Sequence, residues 1–214
     1  MKKRKEVPNI EVEDINHLGI IAGIIDDIGI VEIINQKIGE HPQEEVSPGH
    51  VVKALILNCM GFLSAPLYLF SEFFMGKGTE HLLGEGIKAE YLNARRIGRV
   101  LDKLYLHGVS SIFMSIAVEV VKKFGVSMTS VHGDSSSFYV HGSYESGETE
   151  TITEPKETKE CEDTQGESES EFIPIEIRRG YSRDHRPELK QFTLNLITST
   201  DGDIPLGLRV GNGI

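Results

Sequence analysis

An α+β fold is what this sequence predicts, a helical N-terminal region followed by strands, and three observations predict it. Apolar residues recur at spacings of three and four from residue 15 to residue 124. Past Gly125 the pattern changes to short β-branched and aromatic runs bounded by Gly and Asp-Gly. Residues 145–171 show no apolar periodicity and are rich in Glu, Thr, Ser and Lys. The predicted organisation is a flexible basic terminus at 1–14, a helical domain at 15–125, and a strand-bearing domain at 126–214 with a long acidic loop at 145–171.

With 214 residues, the chain is long enough to bury a core as one domain or two. No apolar run approaches the roughly 20 residues a membrane helix needs, and MKKRK is followed by Val-Pro-Asn rather than an apolar signal core. A cytoplasmic location with no membrane partner is the expectation. The formal charge of −11 is concentrated: residues 145–171 hold eleven acids against Lys156 and Lys159, so most of the acidity belongs to that loop. The remainder is close to neutral with local basic clusters, which leaves nucleic acid open as a partner. The loop itself reads as a solvated insertion or as an acidic mimic of nucleic acid.

Taken in order, MKKRK is a disordered end or a weak phosphate contact. Over residues 15–38 the isoleucines follow three-and-four spacing around Gly29, predicting two short helices with a turn there. Ser47-Pro48 is a helix start: the hydroxyl accepts an orphan amide, and proline at the first position has none to lose. That helix is predicted through Cys59 to Leu63, with Cys59 buried as a small hydrophobe. Ala65-Pro66 breaks it. A short helix follows over residues 67–74, then a glycine-punctuated stretch with one helical turn near Leu82. Over residues 95–106, Ile97, Val100, Leu101 and Leu104 share a side, while Arg95, Arg96, Arg99 and Lys103 lie mostly opposite. Those arginines form either a solvated face or a DNA-backbone contact. Val109 to Phe124 fits helical spacing without a gap, and Gly125 ends it.

A strand is predicted over residues 127–141, with Asp134 inside it. A carboxylate there needs a cation, a donor or water, because burying it bare costs several kcal/mol, on the order of the transfer penalty for an unpaired polar group or more. By its neighbours alone, Asp134 is either a functional acid or a turn cap among Gly and Ser. A short β segment is predicted at residues 172–177. Two further strands, from Phe192 and from Ile204 to Val210, are joined through Asp201-Gly202, where both positions tolerate positive φ. His132 and His141 read as surface or packing histidines, and Cys59 and Cys161 make neither a disulfide framework nor a zinc site.

HGDSSSF at 132–138, RRGYSRDHRPELKQ at 178–191 and the two strands joined by DGD together resemble the catalytic region of insertion-sequence transposases that carry an Asp, Asp, Glu metal site on a ribonuclease H-like fold. The helical half resembles the segment preceding the catalytic domain in one branch of that family. The resemblance implies the first three strands of a truncated ribonuclease H-like α/β domain, with Asp134 as catalytic acid and metal ligand. Mg2+ or Mn2+ would serve the full-length parent, because two such ions activate the attacking oxygen and stabilise the leaving one.

The second and third acids would follow past Ile214, and Asp184, Asp201 and Asp203 lack the placement of a second ligand. The chain alone is therefore expected to be inactive and to hold no metal tightly. It would also leave the backbone beside Asp134 as a free sheet edge. Arg178, Arg179, Arg183, His185, Arg186 and Lys190, together with Arg95, Arg96 and Arg99, are the expected DNA contacts. Expected partners are insertion-sequence DNA ends and either further copies of the chain or a missing C-terminal half. Two other functions stay open: a non-catalytic DNA-binding or protein-interaction module, and a metal-dependent phosphohydrolase.

Overall fold

The computed structural model describes residues 12–61, 65–142, 144, 175–181 and 185–213. The architecture is α+β: helices first, then a three-stranded antiparallel sheet. Two compact units divide it, Met1–Met128 and Thr129–Ile214. The expected basic terminus lies mostly outside the described residues, and the acidic loop lies wholly outside them.

In the first unit, α1 (Leu18–Ile28) and α2 (Ile30–Ile38) meet at Gly29, whose φ of 82° closes α1 in the left-handed conformation that glycine adopts without a Cβ penalty. α3 (Pro48–Met60) starts where the sequence signals it, with the Ser47 side chain accepting from the His50 amide. α2 and α3 are locked by a polar clasp: Asn35 Nδ2 donates to Ser47 Oγ at 2.9 Å, and Gly49 N donates to Asn35 Oδ1 at 2.6 Å. They approach so closely that a Cβ on Gly49 would lie 2.3 Å from the Val31 carbonyl oxygen.

Beyond a short 3₁₀ turn at Leu67–Leu69 come α4 (Phe70–Phe73) and α5 (Thr79–Leu83). α6 (Ala94–Leu106) is capped by Asn93, which accepts from the Arg96 amide at 3.0 Å, and α7 (Val109–Phe124) ends at Gly125 with φ 64°. One apolar core unites Leu18, Ile34, Val51, Leu57, Phe70, Phe74, Leu82, Leu92, Ile97, Val100 and Ile112. Full burial of each such large side chain contributes about 1.5–3 kcal/mol before conformational entropy is charged against it.

Several expectations need correction. Cys59 is exposed rather than buried, because it follows Asn58 onto the outward side of the last turn of α3. Asn58 points inward instead, exchanging hydrogen bonds with the backbone of Ala65 at 3.1 and 2.8 Å. α3 also stops at Met60, and Phe62 and Leu63 lie outside the described residues. α7 forms where the spacing predicts it, with Ile112 and Ala117 buried. Of the β segment expected at 172–177, residues 175–177 form no strand and residues 172–174 lie outside the described residues; Arg178 makes an isolated bridge to Gln191.

The second unit is built from β1 (Val131–Val140), β2 (Lys190–Ser199) and β3 (Pro205–Gly211), in the order β1-β2-β3. β1 begins four residues later than the periodicity suggested. The β2–β3 turn uses Gly202 at φ 72° and Asp203 at φ 54°. Ser199, fully buried, fastens it by donating to the Asp201 carbonyl at 2.8 Å and accepting from Ile204 N at 3.1 Å.

Candidate functional site

Register sorts the sheet's side chains, since directly opposed residues share a face. Asp134 stands opposite Leu196, and Leu196 opposite Leu208; Ser136, Leu194 and Val210 form the next row, and Phe138 stacks on Phe192 with ring centroids 5.4 Å apart. The other face is polar, with rows Ser135, Asn195, Arg209 and Ser137, Thr193, Gly211. Asp134 therefore belongs to the apolar face, on an edge strand, and is exposed to water. Its carboxylate accepts from the Ser135 amide at 2.8 Å. Water and one backbone donor are what keep a charge at this position tolerable.

His132 shares the face two residues before Asp134, opposite Thr198. Among the described residues, no three His, Cys, Asp or Glu side chains converge to hold a metal ion. Divalent magnesium is held by several oxygen ligands, so Asp134 with its present neighbours does not fit such an ion by itself. Asp201 and Asp203 lie at the β2–β3 turn, and Asp184 lies outside the described residues.

The basic residues expected to touch DNA fall into three situations. Two donate to backbone carbonyls and reach an acid, Arg178 at an exposed position and Arg96 at a largely buried one. The Arg178 guanidinium donates to the Gly213 carbonyl at 2.8 Å and reaches Glu176 at 3.3 Å. Arg96 forms a two-pronged pair with Glu44 at 2.7 and 2.8 Å and donates to the Val46 carbonyl at 2.6 Å. Burial pushes the Glu44 carboxyl up, but the hydrogen bonds from Arg96 and the charges of Arg96 and Lys103 outweigh it and hold the carboxyl below its ordinary value.

A second set is tied at the surface. Arg186 donates to Glu188 and lies over the Tyr139 ring at 5.8 Å, and Lys190 donates to the Tyr144 carbonyl. The hydrogen bond from Arg186 holds Glu188 below the usual carboxylate range and raises Arg186. His185 sits nearby in the left-handed region at φ 56°. The third set is open: Arg95, Arg99 and Arg179 are exposed. Arg95 and Arg99, one turn apart on α6, line a cleft of about 280 Å³ with Gln43, Glu45 and Tyr91. Arg183 lies outside the described residues.

Two features escaped the sequence reading. The Ser135, Asn195, Arg209 row, joined by a 2.5 Å hydrogen bond from Ser135 to Asn195, needs the strand register before it is visible. The Arg96–Glu44 pair spans 52 residues of sequence. The signal for it was an acid in a loop between helices, which many surface loops share.

Among the described residues, no single helix is long and apolar enough to cross a membrane. Compared with known proteins, residues 10–118 match the family described as a domain of unknown function, DUF4277. Neither a curated protein nor a solved structure matches the chain.

Proposed function

The chain belongs to the DUF4277 family, and from that premise we propose that it serves DNA transposition, as part of an insertion-sequence transposase whose catalytic domain is ribonuclease H-like. The observation that carries this reading is Asp134: an exposed carboxylate in the interior of β1, at the edge of the described sheet, in a row with Leu196 and Leu208 on a face that also carries His132, Ser136, Phe138, Leu194 and Val210. Packing gives no reason for an acid in that row; recruitment of a cation with further oxygen ligands gives one. The order β1-β2-β3, all antiparallel, agrees with the opening hairpins that the resemblance implies.

In this reading Asp134 is one ligand of a Mg2+ or Mn2+ site whose other carboxylates come from outside residues 1–214. In a site so completed, Asp134 would be one of the residues holding such ions, which would supply activation of the attacking oxygen and charge stabilisation of the leaving one. Arg95, Arg99 and Arg179 supply phosphate contacts that fix the DNA without reading its sequence. Arg96 and Arg178 act as structural cations, because their guanidinium groups are already paired. The chain alone neither cleaves nor joins DNA.

Titration calorimetry of the full chain with Mg2+ and with Mn2+, beside Asp134→Asn, tests the assignment. The expected result is weak binding by the wild type that the substitution abolishes. Binding that survives Asp134→Asn overturns the ligand role, and strand cleavage by the unaided chain overturns the shared-site reading.

A second reading, a non-catalytic DNA-binding module, is favoured by one observation: Arg95 and Arg99 are exposed beside a cleft in the unit that has a complete core. Retention of DNA that depends on these two arginines and is indifferent to Asp134 would select it.

A further inference from the structure

The start of α3 carries a chain of hydrogen bonds whose direction can be read from one backbone amide. A backbone N–H can only donate, so the contact of Gly49 N with the Asn35 side chain at 2.6 Å fixes the receiving atom as oxygen and leaves Nδ2 as a donor. That Nδ2 donates to Ser47 Oγ at 2.9 Å. Ser47 Oγ also accepts from the His50 amide at 3.4 Å, as the N-cap of α3. A hydroxyl has two lone pairs and one proton. Both lone pairs are thus taken, and the remaining contact, 2.7 Å to His50 Nδ1, is left for the proton. Neutral His50 therefore accepts at Nδ1 and carries its own proton on Nε2.

A second proton on the ring cannot be added without breaking this chain. It must go to Nδ1, which then becomes a donor, and Ser47 Oγ faces three donors with two lone pairs. The Ser47 hydroxyl proton loses its acceptor at the same moment. The amide contact is the longest of the three, so the cap is the first bond to yield. His50 is also the third residue of α3, where the amide end of the helix disfavours a positive charge.

The charges around the ring are divided. Lys53 on α3 opposes a proton there, while Glu32 on α2, Asp26 on α1 and Glu40 after α2 favour one. Asp26 is itself paired with Lys53 Nζ at 2.6 Å, which offsets part of its pull. α5 meets the ring through its C-cap Gly84: a Cβ there would lie 3.2 Å from His50 Nε2, and glycine brings no charge. His50 is half-buried and opens on a cleft of about 460 Å³ lined by Val31, Glu32, Asn35, Gln36 and Glu40, which lets water reach the ring.

We propose that Ser47 and His50 form a proton-operated latch on the first turn of α3. With His50 neutral, the ring holds the Ser47 hydroxyl where it caps the helix and receives Asn35. With His50 protonated at Nδ1, the hydroxyl turns away and α3 is uncapped beside its contact with α2. The proton comes from water and returns to it, and only N–H bonds form or break. Every residue involved lies in the helical unit, and none of this rests on the transposition reading.

Proton–nitrogen NMR correlations through the imidazole ring, stepped in pH on the isotopically labelled full chain, provide the test. At neutral pH the His50 ring is expected as the Nε2–H tautomer. As pH falls through the ring's titration, the His50 amide should lose roughly 3- to 10-fold in exchange protection with the same midpoint, the loss that release of a helix cap gives. Asn35→Asp turns a donor into an acceptor: Ser47 then donates to residue 35 and accepts from the ring, so the neutral tautomer should switch to Nδ1–H. Ser47→Gly keeps a tolerated N-cap without the hydroxyl, so the ring should titrate while the amide protection stays level. A wild-type neutral ring protonated at Nδ1 overturns the proposal. So does amide protection that ignores the ring's titration, or that follows it equally in a folded Ser47→Gly chain. A folded Asn35→Asp chain whose midpoint rises with no switch of tautomer also overturns it, since added charge alone would do that.

Discussion

The helical unit and the sheet unit bury opposite kinds of side chain. Every buried hydrophobic residue among those described lies between Leu18 and Ala117. In the sheet unit the buried polar side chains are Gln191, Thr193 and Ser199, while the leucines and valine of its apolar face are only half-buried. One unit is thus held by packing of a closed core, and the other by its hydrogen-bonded ladder. The difference teaches where function can be sought: the helical unit has a buried core yet exposes apolar side chains such as Ile20, Val109, Met114 and Phe124 beside its cations, whereas the sheet leaves its apolar face only half-buried.

The largest expected effect tests that contrast directly. Leu57→Ala, at a fully buried position, should cost about 2–5 kcal/mol, whereas Leu208→Ala in the sheet should cost about 1 kcal/mol or less. Urea melts of the two variants, followed by far-UV circular dichroism, check it; equal losses would mean the sheet is as closely packed as the helices.

Next in size is Arg96→Ala. It strands the Glu44 carboxylate, which is 17% exposed, and should destabilise the helical unit by roughly 2 kcal/mol. DNA affinity measured on the folded protein should fall less for Arg96→Ala than for Arg95→Ala with Arg99→Ala. The reverse ordering would mean that Arg96 leaves Glu44 to meet phosphate.

The smallest effect is a pH dependence. Burial, reinforced by the Lys53 charge, lowers the His50 pKa below 6.5 in the folded chain. The folded state therefore binds fewer protons than the unfolded one between that lowered value and 6.5. Stability from this group is fully present above pH 6.5 and is lost as pH falls from there through the folded value. Glu44 behaves alike in a lower window, with its contribution present above 4.5 and lost as pH falls through its depressed folded value. Urea midpoints at stepped pH should show both declines, with His50→Gln flattening the first and Glu44→Gln the second.

Legibility in the sequence followed the range of the interaction involved. Gly29, Ser47-Pro48 and Gly125 act on backbone within a few residues, so helix starts and stops around them could be read along the chain, whereas the Asn93 cap of α6 was not read. Asp201-Gly202 marked the hairpin, although the left-handed positions turn out to be Gly202 and Asp203. Cys59 and Asn58 exchanged roles because the choice depends on which side of α3 meets Ala65, a tertiary fact. Arg96 looked like one more cation of a basic face, and only the fold brings Glu44 to it. Asp134 stood out as an acid in a β-prone run, but its place in the leucine rows required the register of β2 and β3. The pairing of Ser135 with Asn195 was hidden for the same reason.

At Gly49 the helices α2 and α3 are separated by less than the thickness of a methyl group. The interval between those two rods is therefore written into the chain as a missing atom. A carbon added there would have to move the Val31 backbone, and with it the Asn35 clasp that seats Ser47. Residue 49 works as a spacer of zero width, and any coding change that gives it a side chain pries the pair apart from within.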